Sequence, residues 1–203
     1  MAVLVIAEHD NHNLAAETLK TVGAVSSLAD DIDVVVIGYQ CSAVADMAAE
    51  IDNIKRVLVA DNVAYQHQLA ENSAVLVAEL AKDYSHIVGP ASTFGKNLLP
   101  RVAALLDVGM LSDVVAIESD DTVIRPIYAG NALARVRSSD SKKLMTIRGS
   151  AFEAAGLGAS TPERLELAMN YDNELVEFVD HQVSQSERPE LTAARVVVSG
   201  GRG

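Results

Sequence analysis

The stretch DVVVIGYQCSAVADMAAEIDNIKRVLVAD, residues 33–61, decides the fold. Its two ends, Asp33–Gly38 and Arg56–Asp61, are short runs rich in β-branched residues, too short for helices and read as strands. Between them SAVADMAAE, starting at Ser42, is an Ala-rich helix. A strand, a helix and a second strand in this order imply parallel pairing through a right-handed crossover.

The same rhythm extends outward. AVLVIAE (Ala2–Glu8) and HIVGP (His86–Pro90) read as further strands. LAAETLKTVGAVSSLA puts Ala15, Leu19, Val22 and Val25 on one helical face, with Asn11 or Asn13 as its cap. QLAENSAVLVAELAK aligns Leu69, Leu76 and Leu80. LLPRVAALL predicts a helix with Pro100 near its start, where a missing N–H is tolerated. The fold class is α/β, a mostly parallel three-layer arrangement with helices flanking the sheet.

Beyond Asp107 the pattern changes. DVVAIES, TVIRPIYA, NALARVR and KLMTIRG are strand-like runs with turns between them and no room for helices. They predict antiparallel strands added to the main sheet or forming a small second one. PERLELAMN predicts a short helix capped by Thr161 with Pro162 at its first position, and ELVEFVDHQV one more strand. SQSERPEL (Ser184–Leu191) has the polar, Pro-containing composition of a connector. The expected organisation is an α/β domain over residues 1–183, a connector over 184–191, and the first strand and loop of a second, truncated domain over 192–203.

Composition narrows the function. Hydrophobic residues make up 49% of the chain and aromatics 4%, with no Trp, so the core is built from Ala, Val, Leu and Ile. That diet suits a buried parallel sheet. A net charge of −12 argues against a nucleic-acid partner. The single cysteine, Cys41, forms no internal disulfide, and no Cys/His set has zinc spacing. The first ten residues, MAVLVIAEHD, lack the layout of a secretory or transit peptide. No run approaches the length of a transmembrane segment. The expectation is a cytoplasmic protein of bacterial type.

Two loops suggest anion contact. GPASTFGK (Gly89–Lys96) follows a strand, as ligand loops of open α/β sheets do. It has five residues between its glycines and Asn97 after its lysine, so it departs from the magnesium-nucleotide loop. Its expected role is structural or at a subunit contact, with anion binding as the sharper reading. In ARVVVSGGRG (194–203), Gly200 and Gly201 free the backbone to approach phosphate, and Arg202 adds charge-assisted hydrogen bonds. The basic cluster Arg125, Arg135, Arg137, Lys142, Lys143 and Arg148 reads as a solvated face paired with nearby acids, or as an interface. His9, His12, His67, His86 and His181 are scattered, and DDID and ESDD read as turns. No catalytic signature is found.

GKNLLPRVAALLDVGMLSDV (Gly95–Val114), RPIYAGNALARV (Arg125–Val136), TIRGSAF (Thr146–Phe152) and RVVVSGGRG together resemble the electron transfer flavoprotein alpha subunit. VLVIAEHDN at the start is similar to its bacterial members. The resemblance implies an N-terminal α/β domain followed by a second domain that holds most of an FAD site. It implies pairing with a beta subunit that binds AMP, and no substrate turnover. Electrons would pass through FAD from acyl-CoA and related dehydrogenases to a quinone oxidoreductase. Of the family's FAD contacts, Arg202 carries over, with Gly201 as its backbone neighbour, so this chain is expected to hold little or no FAD. A free-standing nucleotide-binding α/β domain is the alternative.

Overall fold

The structure, a computed structural model, describes residues 2–29, 31–158, 161–174, 176–180 and 196–201. The stretch 33–61 forms strand β2 (Ile32–Gly38), helix α2 (Ser42–Ala49) and strand β3 (Ile54–Asp61). It is preceded by β1 (Val3–Ile6) and α1 (Ala16–Val25), and followed by α3 (Ala70–Leu80), β4 (His86–Pro90) and α4 (Thr93–Leu106). Then come β5 (Met110–Val114), β6 (Ala116–Ile117), β7 (Thr122–Ile127), β8 (Ala132–Arg137), β9 (Lys143–Ile147) and β10 (Glu163–Glu166).

Seven strands form one sheet in the order β10-β3-β2-β1-β4-β9-β5, and every pairing in it is parallel. The expected α/β class is observed. Every residue of β1, β2 and β4 is buried, which is why these runs are apolar without alternation. Val3, Val5, Val34 and Val36 pack with Val22 and Val25 of α1 and Val44 of α2 on one face. Leu4, Ile6, Val35 and Ile87 pack with Leu76 of α3 and Leu98, Leu99 and Val102 of α4 on the other. The crossovers therefore change face between β1 and β4, and the crevice between these strands is a topological switch point.

The small antiparallel sheet β6-β7-β8 is the second sheet that the sequence predicts. KLMTIRG is different: β9 lies inside the main sheet, parallel to both β4 and β5. Leu144, Met145 and Ile147 are all buried, so both faces of this strand are apolar. An antiparallel strand with one wet face would alternate instead. Lys142 fixes the entry to β9 by donating to the carbonyls of Ala81, at 2.5 Å, and Tyr84, at 2.9 Å, near the end of α3.

Other expectations are corrected. PERLELAMN is not a helix; it forms β10, the edge strand beside β3. Leu165, Leu167, Met169 and Tyr171 all pack against the α3–α4 face, a period of two that overrides the cap-like Thr161 and Pro162. Of ELVEFVDHQV, residues 176–180 form no strand and 181–183 lie outside the described residues. Helix α1 begins after Ala15 with no side-chain cap. Asn13 instead donates its backbone N–H to Asp10 Oδ1 at 2.6 Å, and Asn11 bridges other loops. Pro100 sits in the interior of α4, which starts at Thr93 under a Ser92 cap. Both Pro100 and Lys96, the residue whose carbonyl loses its helical partner, are exposed, so water satisfies that carbonyl.

The connector 184–191 lies outside the described residues. Residues 196–201 join neither sheet, and Val196 and Val198 are exposed.

Candidate functional site

The carboxyl ends of the parallel strands carry two clusters of polar side chains. The first closes the ends of β1, β2 and β3. Asp61, the last residue of β3, accepts the backbone N–H groups of Gln40 at 2.7 Å and Cys41 at 3.0 Å. Asn11 accepts the Tyr39 N–H at 3.1 Å and donates its side-chain amide to the Gln66 carbonyl at 3.0 Å. Asn11, Gln40 and Gln68 all take left-handed backbone conformations, which those side-chain bonds offset. Gly38 is required here, because a Cβ would stand 2.3 Å from Asn11 Oδ1 and 2.8 Å from His9 Cε1. Cys41 is buried and its thiol is pushed up to about 11, mainly by desolvation. It is a packing residue at the edge of the core and no nucleophile.

His9 sits at the centre of this cluster, 7% exposed. Its Nδ1 accepts the Asn11 N–H at 3.0 Å, and Nε2 is buried with no hydrogen-bond partner. Burial pushes the imidazole down to about 4, against weaker opposing pulls from Asp10 and the Ile37 carbonyl. The folded protein therefore holds His9 neutral where the unfolded chain would protonate it. The stability this contributes is full above the ordinary value near 6.5 and is lost as pH falls toward 4, about 3 kcal/mol over the window. Urea titrations at pH 7.5 and 4.5 should show His9→Gln losing less stability than the parent on acidification. Parallel losses would exclude His9 as the source.

The second cluster lies at the switch point and is open. A cleft of about 430 Å³ is bordered by Ser92 and Lys96 from the start of α4, Asp113 from β5, Arg148 after β9, and Glu17 from α1. Arg148 grips Asp113 with two bonds, Nε to Oδ1 at 2.9 Å and Nη2 to Oδ2. That pairing holds the Asp113 carboxyl below the usual carboxylate range. It also offsets the left-handed backbone of Asp113, φ 60°, whose N–H donates to Thr146 Oγ1 at 2.8 Å. Nearby, Arg125 donates to the Ser112 carbonyl at 2.8 Å and to its hydroxyl at 2.6 Å. Gly149 admits Glu17, since a Cβ there would stand 1.7 Å from its carboxylate. Burial raises the Glu8 carboxyl at the back of this region, and the Ser92 hydroxyl partly counters it.

Two contacts bear on the expectation about the loop GPASTFGK. The Ser92 hydroxyl accepts the Gly95 N–H at 3.3 Å, so part of the donor set that would hold an anion is used inside the loop. Gly95 packs its backbone on the end of β4, where a Cβ would stand 1.9 Å from the Pro90 carbonyl. The structural reading is the one the geometry favours.

The basic cluster resolves into local pairs. Arg135 meets Glu118, Arg137 meets Asp121 at 2.6 Å, and Lys143 donates to the Asp140 carbonyl at 2.7 Å. Asp121, in the ESDD turn, is held down to about 2 by the Thr122 hydroxyl and Arg137. Asp33, which both the DDID turn and the strand Asp33–Gly38 claimed, is buried within β2, as the strand reading has it. Of the expected cofactor contacts, Gly201 is exposed with nothing within 4 Å of where its Cβ would be. Arg202 lies outside the described residues. Sequence reading also missed the Asp113–Arg148 pair, whose members are 35 residues apart and share no local pattern.

Among the described residues no group of three potential ligands could hold a metal ion, and no helix is long and apolar enough to cross a membrane. Asp61, Asn11, Asp113 and Arg148 use their side chains to hold loops. The fold and site thus define a class, a parallel α/β domain with two clusters of polar side chains at the carboxyl edge of its sheet.

Comparison with known proteins names the family. The model of the electron transfer flavoprotein domain matches residues 3–169. The chain is 52% identical over 203 residues to the electron transfer flavoprotein subunit alpha of Pseudomonas aeruginosa, and 51% identical over 204 to that of Paracoccus denitrificans. Against the mitochondrial alpha subunit of Dictyostelium discoideum it is 41% identical over 218 residues. These matches take in 100%, 100% and 98% of this chain, which spans 66%, 66% and 61% of the relatives' length. The chain belongs to the electron transfer flavoprotein family, and the relatives it matches are alpha subunits. Three of the four motifs that carry the resemblance converge in space: Lys96, Ser112 and Asp113 come from the first, Arg125 from the second, and Thr146, Arg148 and Gly149 from the third.

Proposed function

We propose that this chain serves in the alpha subunit of an electron transfer flavoprotein, an electron carrier without substrate turnover of its own. Residues 1–183 are the base, 184–191 the connector, and 192–203 the opening strand and loop of the FAD domain. The partner is a beta subunit that binds AMP, the donors are acyl-CoA and related dehydrogenases, and the acceptor is a quinone oxidoreductase. The setting is the bacterial cytoplasm. The observation that carries this reading is similarity along the whole chain, at 52% and 51% identity, to bacterial alpha subunits.

FAD, when bound, supplies the redox chemistry by accepting electrons and releasing them singly. The described residues do not build a cradle for it. Gly201 stands alone in solvent, and the open cleft at Asp113 and Arg148 has its strongest cation already committed to a carboxylate. The role that fits this part of the chain is architectural, a rigid platform for the flavin-bearing domain.

Arg202→Ala in the full-length heterodimer tests the proposed FAD contact. Loss of one charge-assisted phosphate contact should weaken FAD by about 1.5–3 kcal/mol, roughly tenfold to a hundredfold. Flavin retained after dialysis, read by absorbance, checks it. Unchanged affinity would remove Arg202 from the site.

A further inference from the structure

After β10 the chain does not leave the domain. Leu167 continues the β3 pairing by donating its N–H to the Val59 carbonyl at 2.7 Å. Tyr65, wholly buried, donates its hydroxyl to the Met169 carbonyl at 3.4 Å and accepts the Tyr171 N–H at 3.0 Å. Asn72, 2% exposed, donates to the Ala64 carbonyl at 2.9 Å and accepts the Asn173 N–H, also at 2.9 Å. Farther along, the Phe178 ring stacks on His67, centroids 3.7 Å apart and planes 5° from parallel.

All three gripping side chains come from one short region: Tyr65 ends the 3-10 turn Val63–Tyr65, Asn72 lies in the first turn of α3, and His67 lies in the turn between them. Two of them reach backbone atoms of the departing segment. The Tyr65 hydroxyl has both its bonds there, and no strand of the sheet needs it. Buried polar groups are costly unless paired, so the phenol and the carboxamide are explained by what they hold.

We propose that residues 163–174 and 176–180 are a docked strap, and that the His67–Phe178 stack is its terminal clasp. The strap sets where the following chain departs from the platform. On the reading that a flavin domain follows, it shortens that domain's tether by the whole length of the strap, and opening the clasp lengthens it.

Hydrogen exchange on the 203-residue chain tests the strap without flavin or partner. In the parent, amides of residues 167–174 should be protected relative to free chain. Tyr65→Phe, which keeps the ring in the core, should speed their exchange by about tenfold while β1, β2 and β4 keep their rates. Phe178→Ala should do the same for 171–178. The proposal is overturned if the parent strap exchanges like free chain, if neither variant changes it, or if both variants speed exchange everywhere alike. In the assembled heterodimer, Phe178→Ala should broaden the distribution of distances between the platform and the flavin domain, measured between spin labels. An unchanged distribution removes the tether role, whereas absence of a flavin domain would sink the function proposed above and leave the strap standing.

Discussion

Asp33→Ala is expected to lower the stability of the domain by about 3 kcal/mol, seen as a lower urea midpoint at unchanged slope. Asp33 is 3% exposed near the amino end of β2. Its carboxylate accepts the Tyr84 hydroxyl at 2.6 Å and the Arg56 Nε at 3.0 and 3.1 Å. Alanine leaves a buried phenol without an acceptor and a guanidinium without its anion. Arg56 is 36% exposed and regains water, which keeps the cost at the low end for a broken buried pair. Tyr84→Phe removes the hydroxyl's bond to Asp33 and a longer one, 3.4 Å, accepted from Arg56 Nη2, leaves the ion pair in place, and should cost about 1 kcal/mol. Equal losses for the two variants would show that the carboxylate's pairing with Arg56 contributes nothing.

Leu144→Ala should cost a similar amount, about 3 kcal/mol, through lost burial and the cavity left behind. Leu144 is fully buried in β9, opposite Ile87 on β4 and Met110 on β5. Its side chain belongs to the cluster that holds Ile87, Leu99 and Val102, and such packed surroundings relax only partially into the space. Read as part of an antiparallel flap, the same residue would be half wet and its truncation would cost under 1 kcal/mol. A small loss in thermal or urea unfolding would therefore contradict the central position of β9.

How much of this was legible in the sequence depends on the range of the interactions involved. Strands β1 to β4 and helices α2 and α3 announce themselves through local runs and periods, because an unbroken β-branched run or an Ala- and Leu-rich stretch is complete within a short window. PERLELAMN misled for the opposite reason. Thr161 and Pro162 form a local helix-start signal, yet the edge of β3 was open and the alternating Leu165, Leu167, Met169 and Tyr171 could fill it. Tertiary pairing outweighed the local preference. The site shows the same division. The resemblance spans Lys96 and Asp113 in one motif and Arg148 in another, but nothing in their spacing said that Arg148 closes on Asp113.

The sequence by itself determined the α/β class, the early alternation of strands and helices, and the family, since all three are written in local pattern and motif order. Only the tertiary structure decided that β9 slots between β4 and β5, that Asp33 pairs with Arg56 and Tyr84, and that the chain after β10 stays strapped to α3. Those outcomes rest on which strand edges remain open and which polar groups come to lie together across tens of residues. Such contacts are set by the closed sheet, and no window along the chain contains them.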